Sequence, residues 1–436
     1  MTADIDTASD AKDRGLVRAL SAWGLAAAVA NTVIGGGIFV LPSKMAAAVG
    51  TAAPVYYIAC AVAVGAVAIC FAEAGSRVAV SGGVSGGVEA AFGRYAGFIT
   101  GVMLWLGAGL AAAGIAAGLA DALASVVPVF AQPLWRGAFI ALLFATIAAI
   151  NIGGVRRGGG LVSLLIALKL IPLLVFVLVG ALHASPAHLA EAGKAGHADI
   201  GRAMLLGVFA FMGMETALGV SGEVRRPERN VPLGLLGALA AVTVLYILIQ
   251  LVAQGLLGAG LPLSKTPLAD AMGRVSPALS GLLLVGGAVS MLGYLASDML
   301  SAPRVLFGMA RDGFLPAALA KAHPKAHTPH IAIFVYAVIE AAFAITGAFE
   351  PLVILSTLVT VVVYIAGCGA AVMLRQRGVA REGKPLNFPF TTAAAALGIG
   401  SMIWLTLQGT WQEGAAVIAA IAISSAIYFA ALRRRT

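Results

Sequence analysis

Three consecutive glycines, Gly35-Gly36-Gly37, sit in the middle of the first long apolar stretch of this chain. Glycine is the poorest non-proline helix former, at about 1 kcal/mol each relative to alanine. Three together are expected to unwind a helix otherwise long enough to cross a membrane. In lipid, unwound backbone is tolerated only where it is buried in protein or lines a cavity. A helix broken at mid-membrane therefore marks a binding site of the kind secondary transporters use.

Composition makes the membrane setting firm. Of 436 residues, 60% are hydrophobic and 11% charged, whereas a soluble domain carries about 25% charged residues. The reading is an all-α polytopic membrane protein without a soluble domain. A polar tail over 1–15 precedes a single transmembrane domain over 16–436, and the first apolar segment is too long for a cleavable signal. Apolar stretches near the 20 or so residues needed to span a bilayer fall at about 16–47, 53–75, 96–124, 136–154, 160–182, 202–222, 231–257, 277–305, 328–347, 351–374, 389–409 and 413–432. Twelve spans are expected on that basis. The small-residue stripe of segment 3, from Gly107 to Gly118, reads mainly as a helix-packing face.

Net charge is +9, which reads as positive-inside bias and not as a nucleic-acid surface. With an even number of spans, 21 Lys and Arg fall on the side holding both termini and 6 on the other, Lys169 making up the total of 28. Both termini are thus expected in the cytoplasm, with the chain in the cytoplasmic membrane.

A second interruption mirrors the first. Segment 6 reads Phe209-Ala210-Phe211-Met212-Gly213-Met214-Glu215, a glycine beside an acid at mid-span. Segments 1 and 6 are five spans apart and so run in opposite directions. Two broken, oppositely directed helices imply a five-plus-five inverted repeat, about 16–182 and 202–374, with two extra helices over about 389–432. A break exposes free N–H groups on one stub and free C=O groups on the other. Amides of Gly35, Gly36 and Gly37 suit a carboxylate. Carbonyls near Val33, with Thr32 beside it, and near Phe209, Ala210 and Gly213 suit an ammonium. A zwitterionic amino acid satisfies both ends.

Four ionisable residues lie deep in the spans. Lys169, in segment 5, costs about 2.5–3.5 kcal/mol at a helix centre on insertion scales. It reads either as a proton-coupling or cation-mimicking amine, or as a fixed cation bonded to neighbouring carbonyls. Glu215 reads as a contact for a substrate amine or as a gate. Asp298 is a partner for Lys169 or for a substrate cation. Glu340 has no account from sequence. Cys60, Cys70 and Cys368 lie in apolar segments and give no disulfide framework. The histidines His323, His327 and His330 have a metal-like spacing but sit in a proline-broken loop. The run Ser81 to Gly87 is glycine-rich without the strand and lysine of a nucleotide site, and a short amphipathic helix is expected over Glu89 to Tyr95. No catalytic set, metal site or cofactor is expected. The partners expected are an amino acid or amine, protons and membrane lipid, with monomer and homodimer both open.

These residues resemble the amino acid–polyamine–organocation (APC) superfamily of permeases over essentially the whole chain. Gly35-Gly36-Gly37-Ile38-Phe39 with Leu41-Pro42 is similar to its segment-1 motif. Phe209 to Glu215 and then Glu223-Val224-Arg225-Arg226-Pro227-Glu228-Arg229-Asn230-Val231-Pro232 are similar to its segment-6 pattern and tail. Arg304, Ala310 to Pro316, His323-Pro324 and Thr328-Pro329 are similar to its segment-8 end and loop. The resemblance implies a leucine-transporter-like fold, alternating access and an α-amino acid held at Gly35 to Gly37 and Phe209 to Gly213. Phe209 and Glu215 match residues of arginine/agmatine antiporters, whereas Lys169 resembles the segment-5 lysine of proton-coupled members. Two departures weaken an arginine-specific reading: Gly36 stands where many members have serine, and Ala112 where the antiporters have asparagine. The function expected is secondary amino acid transport, by proton coupling or exchange. The rivals are an amine, polyamine or cationic amino acid antiporter and, of a different class, a non-transporting sensor with a permease-like fold or a membrane enzyme.

Overall fold

The computed structural model describes residues 21–78, 83–153, 169–191, 199–217, 224–324, 326–379 and 385–433. The first part of segment 5, the end of segment 6, Ser81-Gly82, Glu223, the charged residues of the N-terminal tail and Arg434-Arg435 lie outside them. Every long described element is a helix. In chain order these are α1 (Ala22–Val33), α2 (Leu41–Val49), α3 (Ala53–Arg77), α4 (Gly83–Phe92), α5 (Arg94–Val126), α6 (Pro133–Ile152), α7 (Leu170–His183), α8 (Pro186–Glu191), α9 (Ile200–Ala210), α10 (Met214–Ala217), α11 (Pro227–Leu257), α12 (Pro267–Gly273), α13 (Pro277–Arg311), α14 (His330–Thr346), α15 (Phe349–Gln376), α16 (Thr391–Thr406) and α17 (Trp411–Arg433). Seven helical runs are long and apolar enough to cross a membrane, and five more apolar helices are 10–17 residues long.

Both interruptions are present. After α1, Ile34 and Gly35 leave helical geometry, and a 3-10 turn over Gly36–Phe39 leads into α2. α9 ends at Ala210, and α10 starts four residues later beyond Gly213. Gly213 has φ +107°, a conformation open to glycine, and a side chain there would meet the Thr32 carbonyl at 3.0 Å. Each helix therefore stops where the sequence supplies glycine.

Small residues let neighbours press against the first break. A Cβ on Gly36 would fall 2.9 Å from Met291 Cα of α13, one on Gly37 would fall 2.8 Å from the Phe209 ring, and one on Gly287 would fall 3.0 Å from Phe39. The stripe on α5 behaves likewise: Gly107 faces Thr360, and Gly114 and Gly118 face Val353 and Phe349 of α15. Ser356 Oγ donates to the Gly107 carbonyl at 2.6 Å, a contact that only such close helix approach permits.

Two charged clusters tie the helix ends together. Glu73 of α3, fully buried, accepts from Arg77 at 3.0 Å, from Arg375 at 3.4 Å, from the Phe388 amide at 3.4 Å and from the Thr391 hydroxyl. At the opposite ends, Glu350 of α15 binds Lys44 of α2 at 3.4 Å and Arg202 of α9 at 3.1 Å, and Arg202 reaches Glu413 of α17 at 3.2 Å. The Asp199 amide also bonds the Ala48 carbonyl. The half-helices α2 and α9 are thus joined at their ends distant from the breaks.

One element differs from expectation. The short helix forecast over Glu89 to Tyr95 runs instead from Gly83 to Phe92, and Gly93 (φ +92°) separates it from α5, which takes Tyr95. The glycines at 83, 86 and 87 do not prevent a helix because Val84, Gly87, Val88 and Ala91 are buried, and tertiary packing outweighs weak propensity.

Replacing Gly36 by alanine is expected to destabilise the protein by about 1–3 kcal/mol through overpacking, because Met291 Cα cannot yield as a side chain can. Thermal unfolding in detergent measures this. A melting temperature equal to that of the wild type would contradict the contact.

Candidate substrate-binding site

The two breaks face one another across a cavity of about 520 Å³, within the range of small-molecule sites. Thr32, Val33, Gly35, Gly37, Phe209, Ala210, Gly213, Lys169, Glu215 and Asp298 all line it. Gly36 does not: it is turned against Met291. A serine side chain at this position would meet Met291 of α13 and has no room here. Ala112 also lies outside the lining, to which α5 contributes Gly101, Leu104, Trp105, Ala108, Ala111 and Ile115.

The ends of the breaks are capped unequally. Lys169 Nζ donates to the Ile34 carbonyl at 2.7 Å and to the Asn31 carbonyl. An ammonium there sits at the negative end of α1. Tyr246 of α11 donates to the Val33 carbonyl at 2.9 Å, and the Gly35 amide also bonds that oxygen at 2.8 Å. The carbonyl end of α1 is therefore satisfied internally. Thr32 Oγ1 is spent on Ala28 within α1.

Segment 6 shows the opposite arrangement. Glu215 Oε1 accepts the Gly213 amide at 2.9 Å, and Oε2 accepts the Tyr364 hydroxyl at 2.9 Å. A carboxylate thus occupies the amide end of α10, where a helix N-terminus favours negative charge. At the end of α9, the Phe211 and Met212 amides bond the Val208 and Phe209 carbonyls. The Ala210 carbonyl, the last of α9, is outside those two turns. The amides of Gly36 and Gly37, the first two of their 3-10 turn, have no preceding carbonyl of that turn to bond.

Asp298 does not pair with Lys169. It accepts from Tyr336 of α14 at 2.8 Å, and the Glu340 carboxyl lies against it. The sequence reading did not include the buried Tyr246, Tyr364 or Tyr336, nor the start of α4, whose Gly83, Val84 and Ser85 line the cavity. The chain has 8 tyrosines, and a buried tyrosine usually needs a partner for its hydroxyl, so its position in a span was a usable signal. Among the described residues no group of three or more His, Cys, Asp or Glu is placed to hold a metal, and His323 meets His330, the first residue of α14, edge to face.

Comparison with known proteins decides the family. Residues 20–431 match the model of the family described as amino acid permease. The chain belongs to that family. It is similar to the methylthioribose transporter of Bacillus subtilis (strain 168), 27% identical over 98% of this chain and 96% of that protein. It is 25% identical to the branched-chain amino acid permease BcaP of the same organism, with the same coverage. Similarity to the serine/threonine exchanger SteT, also from that organism, is 29% over 68% of this chain and 69% of the relative. The permease is thus a multi-pass membrane protein of a transporter family.

Lys169→Met is expected to leave the Asn31 and Ile34 carbonyls unpaired, at about 1–3 kcal/mol each. Tyr246→Phe should cost less, because the Val33 carbonyl keeps the Gly35 amide. Melting temperatures of the two variants in the same detergent test this order, and a Tyr246→Phe loss equal to or larger than that of Lys169→Met would refute it.

Proposed function

We propose that the permease is a secondary active transporter that moves amino acids across the cytoplasmic membrane by alternating access. The observation that carries this reading is the unequal capping of the two breaks. The amine of Lys169 already fills one carbonyl end, and the carboxylate of Glu215 already fills one amide end. The ends that remain are the amides of the Gly36–Gly37 turn, of which Gly37 lines the cavity, and the Ala210 carbonyl at the end of α9. A carboxylate suits the first and an ammonium the second, which is the charge pattern of an α-amino acid. Phe209, against Gly37, walls the space between them.

Twelve spans in a five-plus-five inverted arrangement, with both termini cytoplasmic, fit the same picture. α2 and α9 lie together on one side of the breaks, and α1 and α10 on the other. From the breaks the cavity runs along α13 from Ser290 to Val305, about 22 Å at 1.5 Å per residue. That direction leads to the side that the Lys and Arg count makes cytoplasmic, while the other side is joined by Lys44, Arg202 and Glu350. This arrangement supports an inward-facing reading of the cycle. Lys169 supports coupling as well as binding: loss of its charge would weaken its hold on α1 and free the carbonyl end of the break. Glu215, linking the second break to Tyr364 of α15, is placed to gate.

A second reading, an amine or polyamine antiporter, draws support from Asp298, a carboxyl that faces the cavity. Counterflow in proteoliposomes separates the two. Amino acids with both α-charges should exchange, and their N-acetylated or decarboxylated analogues should not. Exchange of amines without any carboxylate would favour the antiporter, and no exchange of any amino acid or amine would end both readings.

A further inference from the structure

Behind the cavity wall lies a pair of acids that the binding scheme does not use. Asp298, on α13, faces the cavity and is 8% exposed, whereas Glu340, on α14, does not line it and is 1% exposed. Glu340 is 10 residues into α14, about 15 Å along the helix. The two carboxyls abut, with the Tyr336 hydroxyl beside both. That hydroxyl has one proton to give, and it goes to Asp298 Oδ2 at 2.8 Å. Both oxygens of Glu340 are buried and receive no donor of hydrogen-bond geometry.

Among the described residues no cation faces the pair. α14 itself contributes Tyr336 and Glu340, its His330 being ten residues before Glu340. From α13 come Asp298 and Tyr294; its cations Arg304 and Arg311 are about 9 and 20 Å further along the helix than Asp298. α5 presents Trp105, whose ring is 5.6 Å from that of Tyr336, and Gly109; its own charges, Arg94 and Asp121, are near its two ends. The one charge of α6, Arg136, binds Asp121 and the Ala344 carbonyl. At the start of α7, Lys169 is held by α1. The 3-10 turns Gly36–Phe39 and Ala317–Ala320, which also pack on α13 or α14, contain no titratable side chain, and in α12 Asp270 is bonded to Ser264 and Thr266. An unpaired buried carboxylate costs several kcal/mol, and two side by side cost more. A proton between them supplies a donor and removes one charge.

We propose that Asp298 and Glu340 together form a proton-binding site of the transport cycle. Glu340 keeps a proton and donates it to Asp298, so the pair carries a single negative charge. Asp298, on the cavity side, accepts a second proton from cavity water, which leaves the pair neutral; returning it restores the shared proton. This extends the transporter reading above and rests on it, and it puts a proton on elements separate from Lys169.

Infrared spectroscopy of the protein in nanodiscs at neutral pH reads the shared proton directly. The wild type should show a carboxylic-acid C=O band that is absent from both Glu340→Gln and Asp298→Asn, since in each an amide N–H replaces the proton and the remaining acid ionises. The amide also keeps the pair bonded, so folding is preserved. In proteoliposomes, Glu340→Gln should retain counterflow within about threefold, while its accumulation driven by a pH gradient falls to the level seen with the gradient collapsed. The proposal is overturned if the band persists in both variants, if Glu340→Gln accumulates like the wild type, or if the wild type exchanges substrate but shows no gradient-driven accumulation. If the wild type transports no amino acid at all, the transporter reading fails, and the band still decides whether the pair holds a proton.

Discussion

Peptide groups that lose their helical partners inside a membrane must find others, and this requirement organises the centre of the permease. Two helices stop at mid-span, which leaves four backbone ends to satisfy. Lys169 and Tyr246 satisfy the carbonyl end of α1, and Glu215, held by Tyr364, satisfies the amide end of α10. The partners come from helices distant in sequence, so the breaks also act as junctions. α7 and α11 meet at the first, and α15 at the second. An apolar side chain in place of Lys169 would leave the Asn31 and Ile34 carbonyls without their protein partner.

The helix α13 makes this economy of space workable. Gly286 lies against Pro172 of α7, Gly287 against Phe39, and Met291 against Gly36. One face of α13 thus sets how closely the first break can be approached. Further along, the same helix carries Ser290, Tyr294 and Asp298 into the cavity wall. Packing and chemistry share one helix, and a shift that opens the glycine contacts also moves Asp298.

Much of this was legible in the residues. Gly35 to Gly37 and Gly213 marked both interruptions because backbone propensity is local and glycine changes it by a known amount. The deep charges Lys169, Glu215 and Asp298 stood out because ionisable groups are costly in a span, and all three reach the cavity. What sequence could not supply was pairing. Asp298 and Lys169 are opposite charges, yet each is held by its own surroundings, and spacing along the chain says nothing about that. Gly36 looked equivalent to its two neighbours, but the direction in which each faces depends on how α13 packs. The short helix α4 was misplaced because its glycines argued against a helix that burial then stabilised.

The ion pairs of Lys44, Arg202, Glu350 and Glu413 remain partly exposed, at 15–37% of their side-chain surface. Pairs of this kind contribute little, typically under about 1 kcal/mol each, and dissolved ions weaken them further. α2 and α9 are therefore clasped on that side by contacts that define an arrangement without locking it. A seam so shallow in energy can part and re-form on thermal fluctuation, whereas the buried Glu73 cluster at the opposite ends binds α3, α15 and the approach to α16 into a stiff frame. The molecule is thus mechanically lopsided, yielding across one face and rigid across the other.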